Sequence, residues 1–296
     1  MKKTLSLLLF LSMFITCLKT TYAQEAKISY VKLNNIYYNL NINGNIQSNG
    51  VTMFKLDDRI AYCIEPGVEI NQKYYDISSD WSQINFTDEQ KKYIELVGYY
   101  GYEYPNHNTD NYYIASQELI WQAVNSNIKV SWSTQKNNSG NQIDITKEKE
   151  EILSLIEKHK LTPSFIDKEI KDEVGKEVTL KDDNNVLENY ELSESKCHNI
   201  IKNSNTLTIK LNETPCTEEI QLTKKYYDTS PLLIYTKANS QKLAALRITF
   251  DKKISFKITS ENKPEEIEVP NTGFYDITQI VSSLLIGTGF VLRKII

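Results

Sequence analysis

The sequence predicts an α+β chain, with a first unit of β-strands and a small helical bundle followed by an all-β sandwich. Three observations carry this expectation. Helical periodicity is confined to residues 87–160. Alternating and β-branched runs stand on both sides of it, at 27–62 and again beyond residue 162. Composition also changes along the chain: 13 of the 19 tyrosines fall between Gln24 and Tyr113, whereas the later half is richer in lysine, glutamate and aspartate. Thr162-Pro163 marks the expected boundary, because a helical pattern ends there and proline opens an extended stretch. The domains so defined are 24–161 and 162–260, and each is long enough for a core of its own.

In the first unit, residues 27–38 and 51–62 read as strands, with 41–50 as the turn between them. Cys63 then stands at a strand end, just before Pro66-Gly67 changes the chain direction. Thr87 and Gln90 have capping-box spacing and introduce a helix carrying Tyr93, Ile94 and Val97. A second helix covers 111–124, and a third, Thr146–Lys160, places Ile152, Leu155, Ile156 and His159 on one stripe. The histidine there reads as the end of an apolar face.

The second helix holds an anomaly. Tyr113, Gln117, Ile120, Trp121 and Val124 fall on one face, so a primary amide sits in an apolar stripe. Left without partners it would cost roughly 1–3 kcal/mol. Either it hydrogen-bonds a neighbouring backbone edge or it has a chemical role.

Cysteine arithmetic supplies the second anomaly. Residues 1–23 open Met1-Lys2-Lys3, run through an apolar stretch at 5–15 and close on Thr21-Tyr22-Ala23, the pattern of a secretory signal peptide. Cys17 is removed with it, which leaves three cysteines in an exported chain. Cys197 and Cys216 flank one strand of the second unit and are either bridged or two buried thiols. Cys63 is the remainder, and an unpaired thiol in an oxidising compartment needs a buried berth or a function.

Tyr62-Cys63 at a strand end, followed by Ser116-Gln117-Glu118-Leu119-Ile120-Trp121, resembles the thioester domain of Gram-positive surface adhesins, with Ser116 where threonine is usual. The resemblance covers residues 27–160 and implies an intramolecular thioester between Cys63 and Gln117. It also implies an apolar shell of Tyr62, Ile120 and Trp121 that limits hydrolysis by excluding water. No cofactor or metal is needed. The partner would be a host surface or matrix protein whose lysine amine attacks the acyl carbon in a single turnover, so that the chain is a covalent adhesin and not an enzyme. Tyr74, Tyr75, Tyr99, Tyr100, Tyr102, Tyr104 and Tyr112 are either docking residues or ordinary core and edge packing.

In the second unit, alternating runs at 178–180, 207–211, 246–250 and 254–258 predict a sandwich of immunoglobulin-like type, acting as a stalk. A charged linker follows at 261–268. Val269-Pro270-Asn271-Thr272-Gly273 resembles the sortase sorting signal, which implies cleavage after Thr272 and transfer to cell-wall peptidoglycan. The remaining residues, 274–296, form a hydrophobic segment with a basic tail, stopped by Arg293-Lys294 and expected to insert in the membrane before sorting. The expected location is the cell surface, wall-anchored. The net charge of −4, with both signs interspersed, argues against nucleic-acid binding. Two rival functions remain: a secreted cysteine hydrolase using Cys63 with His107, and a non-covalent wall protein in which Cys63 is merely buried.

Overall fold

One eighteen-residue strand, β1 (Glu25–Ile42), organises the first unit. It turns at Asn43-Gly44, both with positive φ as a tight hairpin requires, into β2 (Asn45–Leu56). A second turn follows at Asp57-Asp58, again left-handed at both residues, and leads to β3 (Arg59–Cys63). The single strand expected over 51–62 is therefore two, because short polar aspartates tolerate that conformation; most of the expected 41–50 turn is strand. The computed structural model describes residues 25–248 and 253–264.

Strands β4 (Tyr74–Ser78), β12 (Leu233–Thr236) and β13 (Leu243–Ala245) complete a ring in the order β2-β3-β13-β12-β4-β1, closed by the β1–β2 pairing. Strand β5 (Lys129–Ser133) adds to the other edge of the far half of β1. Three helices pack against this sheet: α1 (Asp88–Tyr100), α2 (Asp110–Val124) and α3 (Thr146–Lys160). The capping box at Thr87 forms as expected. Close packing depends on Gly98, where an added Cβ would meet Leu246 at 2.2 Å.

The second unit has β6 (Glu169–Glu173), β7 (Glu177–Lys181), β8 (Tyr190–Leu192), β9 (Asn199–Asn203), β10 (Thr206–Lys210), β11 (Cys216–Lys224) and β14 (Ile254–Glu261). They form two sheets, β7-β10-β9 and β6-β14-β11-β8, with β6 and β14 parallel. Leu207 and Ile209 of one sheet share a core with Ile220, Leu222, Phe256 and Ile258 of the other. An all-β sandwich is present, therefore, but the chain does not stay in it. The stretch 233–245, expected within the second unit, returns to the first sheet and pairs β12 with β4 and β13 with β3. The reason is non-local. Alternating apolar residues specify a strand but not the sheet it joins, and six of the seven sandwich strands occupy a long excursion between α3 and β12, with β14 following β13. Of the strand expected at 246–250, residues 246–248 are not strand, and Thr249 and Phe250 lie outside the described residues.

Cys197 and Cys216 are joined as a disulfide, with 19 residues of sequence separation. A loop of that size contributes about 3 kcal/mol in the chain-entropy model. Replacing both cysteines by serine is thus expected to lower the urea midpoint of unfolding, read by circular dichroism. An unchanged midpoint would contradict a structural role for the bridge.

The signal peptide at 1–23, the pentapeptide 269–273 and the segment 274–296 lie outside the described residues, as do residues 265–268 of the expected linker; Glu261 is the last residue of β14. Among the described residues no helix is long and apolar enough to cross a membrane.

Candidate functional site

The site forms where β2 and β3 part. Their pairing ends at Phe54 and Ala61, although both strands continue in the direction that would pair Cys63 with Thr52. Helix α2 enters the gap. The Tyr113 hydroxyl donates to the Ala61 carbonyl at 3.2 Å and accepts the Phe54 N–H at 3.3 Å. One helical turn on, Gln117 repeats the substitution: its Oε1 accepts the Cys63 N–H and its Nε2 donates to the Cys63 carbonyl, both at 2.9 Å. A side-chain amide thus replaces the missing ladder partner, which satisfies two buried backbone groups.

This changes the role expected of Gln117. Both ends of its carboxamide are bonded to the backbone of Cys63, and it is not the group held against the sulfur. The Cys63 thiol instead donates to Oε1 of Gln241 at 3.0 Å. Gln241 lies in the β12–β13 hairpin, 178 residues away in sequence. Its Nε2 donates to the Glu65 carbonyl and its backbone N–H to the Glu69 carbonyl, each at 2.9 Å. The hairpin is fastened further by Ser240, whose Oγ meets the Tyr75 hydroxyl at 2.7 Å and accepts the Asn71 N–H at 2.9 Å. The Ile64 N–H donates to the Lys242 carbonyl at 3.1 Å. With a C=O bond of about 1.2 Å, the Gln241 acyl carbon lies at most about 4.2 Å from the sulfur.

Cys63, Gln117 and Gln241 are all buried and line one cavity of about 610 Å³. Tyr38, Tyr113, Trp121 and Trp132 form its aromatic wall. Burial pushes the Cys63 thiol far above its ordinary pKa. Desolvation there disfavours the thiolate relative to the thiol. Of the expected apolar shell, Trp121 lines the cavity and stacks near Trp132, with ring centroids 6.3 Å apart. Tyr62 and Ile120 are buried in the core without lining it; Tyr62 stacks on Tyr113 at 5.3 Å. Neighbouring strand residues face opposite sides, which is why Tyr62 points away from where Cys63 points.

His107 is not part of this site. Its Nδ1 donates to the Tyr100 carbonyl at 2.8 Å, Nε2 faces Glu151 at 3.4 Å, and the ring stacks on Tyr112 at 3.8 Å. His159, buried, bonds the Tyr100 hydroxyl through Nδ1, in keeping with a structural histidine. Of the tyrosines considered for docking, Tyr75 and Tyr99 are buried, Tyr100, Tyr102, Tyr104 and Tyr112 are half-buried and Tyr74 is exposed; Tyr99 and Tyr104 both contact Tyr227. Among the described residues, Cys197, His198 and Cys216 are the one group with metal-ligating atoms close together. The two sulfurs are bonded to each other and His198 Nδ1 accepts the Asn212 N–H, so no donor set is left to hold an ion.

The ring of strands, the three helices on it and the intercalated sandwich together make the fold of a thioester domain. The chain is similar in structure to the thioester domain of the Staphylococcus aureus TIE protein, with a TM-score of 0.62 and 19% identity, over 81% of this chain and 100% of that one. Residues 24–161 are less than half of the chain, so the likeness takes in the sandwich, and a separate immunoglobulin-like stalk is not evident among the described residues. No family model matches the sequence, and no curated protein matches it.

Proposed function

We propose that this chain is a surface adhesin that forms an internal thioester between Cys63 and Gln241 and transfers the Gln241 acyl group to an amine of a host protein. The observation that carries this reading is the Cys63 sulfur held 3.0 Å from the Gln241 carboxamide at the wall of a solvent-reaching cavity. Sulfur attacks the carboxamide carbon, the C–N bond breaks, and the thiol proton leaves with the NH₂ group as ammonia. Making a thioester from an amide is uphill in water. Held groups reach effective concentrations on the order of 10⁵–10⁸ M, and escape of ammonia draws the reaction forward.

An incoming lysine amine then displaces the sulfur, leaving an isopeptide-like bond to the partner and a thiol at Cys63. The protein is consumed in one turnover, so it acts as a reagent and not as an enzyme. A covalent bond removes dissociation as a route of detachment, beyond the limit near −18 to −21 kcal/mol of non-covalent affinity. The signal-peptide pattern at 1–23 and the sorting-signal resemblance at 269–273 support export and wall anchoring by a sortase, with the segment 274–296 holding the precursor in the membrane. Nothing in the surroundings of His107 favours the hydrolase reading.

Intact-mass measurement of the purified ectodomain tests the proposal. The expected mass is that of the sequence less one ammonia and the two hydrogens of the Cys197–Cys216 disulfide, with the ammonia retained in Cys63→Ala and an adduct formed by methylamine in the wild type. Full mass in the wild type, with no methylamine adduct, would leave a non-covalent wall protein.

A further inference from the structure

The cavity is nearly without charge. Among the described residues that line it, Glu69 is the one acidic or basic side chain. It is exposed, as are its neighbour in sequence Val68 and Tyr30, which line the same cavity and mark its open side. Among the described residues its carboxylate has no ion-pair partner, whereas Glu65 is engaged by Lys242. Its backbone carbonyl holds the N–H of Gln241, so the residue is tied to the glutamine that would carry the acyl group. The carboxylate also acts on the interior: the Tyr38 hydroxyl is pushed up in pKa chiefly by burial, with smaller contributions that include the charge of Glu69.

An aromatic throat with one acid at its entrance is complementary to a particular kind of nucleophile. It suits a cation at the end of an apolar chain, because the aromatic walls take both the alkyl stem and the positive head. A protonated amine cannot attack, however; it must lose a proton, and a carboxylate at the entrance is placed to take it.

We propose that Glu69 receives the ammonium group of the incoming lysine and accepts its proton, which makes this residue the determinant of preference for cationic amines. The inference rests on the Cys63–Gln241 thioester. The proton balance is complete. The ammonium gives one proton to Glu69 and becomes a neutral amine, and its nitrogen attacks the Gln241 acyl carbon. The C–S bond breaks with its electron pair on Cys63 Sγ, and the second amine proton goes to that sulfur. Glu69 afterwards releases its proton to water.

The experiment compares two nucleophiles on preformed thioester, followed by intact mass: N-acetyl-lysine methylamide, a cation at neutral pH, and hydroxylamine, which is uncharged there. Glu69→Gln is expected to lose ammonia as the wild type does, to react about 100-fold more slowly with the lysine derivative, and to react with hydroxylamine at a rate close to wild type. Glu69→Asp, which keeps the charge, should recover most of the lysine rate. Equal slowing with both nucleophiles, or slowing with neither, would overturn the role of Glu69 while the thioester stands. Absence of ammonia loss in the wild type would instead overturn the thioester and this inference with it.

Discussion

Gln241→Ala is expected to abolish both the loss of ammonia and every amine adduct, while leaving the protein folded. The side chain supplies the acyl carbon, and no other carboxamide is held against the sulfur among the described residues. The side-chain bonds to the Glu65 carbonyl and the Cys63 thiol, or the thioester that replaces them, are lost, whereas the hairpin keeps its backbone and Ser240 contacts. Methylamine labelling and circular dichroism on the same sample separate chemistry from folding: zero adduct, a native spectrum. An adduct on the variant would show that the acyl group comes from elsewhere.

Gln117→Ala is expected to do the reverse. It strips partners from the N–H and the carbonyl of Cys63, both buried, at a cost of about 1–3 kcal/mol for each group that water does not reach. The urea midpoint should fall. Thioester formation should weaken because the strand end that aims the sulfur is no longer pinned, yet whatever thioester forms should still involve Gln241. A midpoint equal to that of the wild type would contradict the bridging role.

These two glutamines show what was legible in the sequence. Gln117 could be found because a helix has a period, and an amide inside an apolar stripe breaks it. Its partner could not be read from the stripe, and the resemblance supplied a sulfur where the structure has a backbone edge. Cys63 was legible by elimination among the cysteines. Gln241 carried no local mark: it sits after the left-handed Asn239 in a polar turn, like many surface glutamines. The pairing of β13 with β3, Leu243 opposite Cys63, brings it to the site, and that register joins segments separated by six of the seven sandwich strands. The three helices and the sandwich strands were legible because each is specified within its own residues. The ring was not, because its closing strands come from beyond the excursion.

Peptide mapping of the untreated ectodomain, digested under acidic conditions and sequenced by tandem mass spectrometry, tests the central claim most directly. The account predicts a cross-linked pair in which the peptide containing Cys63 is joined to the one containing Gln241, lighter by one ammonia than the two separate peptides. A cross-link from Cys63 to Gln117, or two unmodified peptides bearing a free thiol and an intact carboxamide, would contradict it.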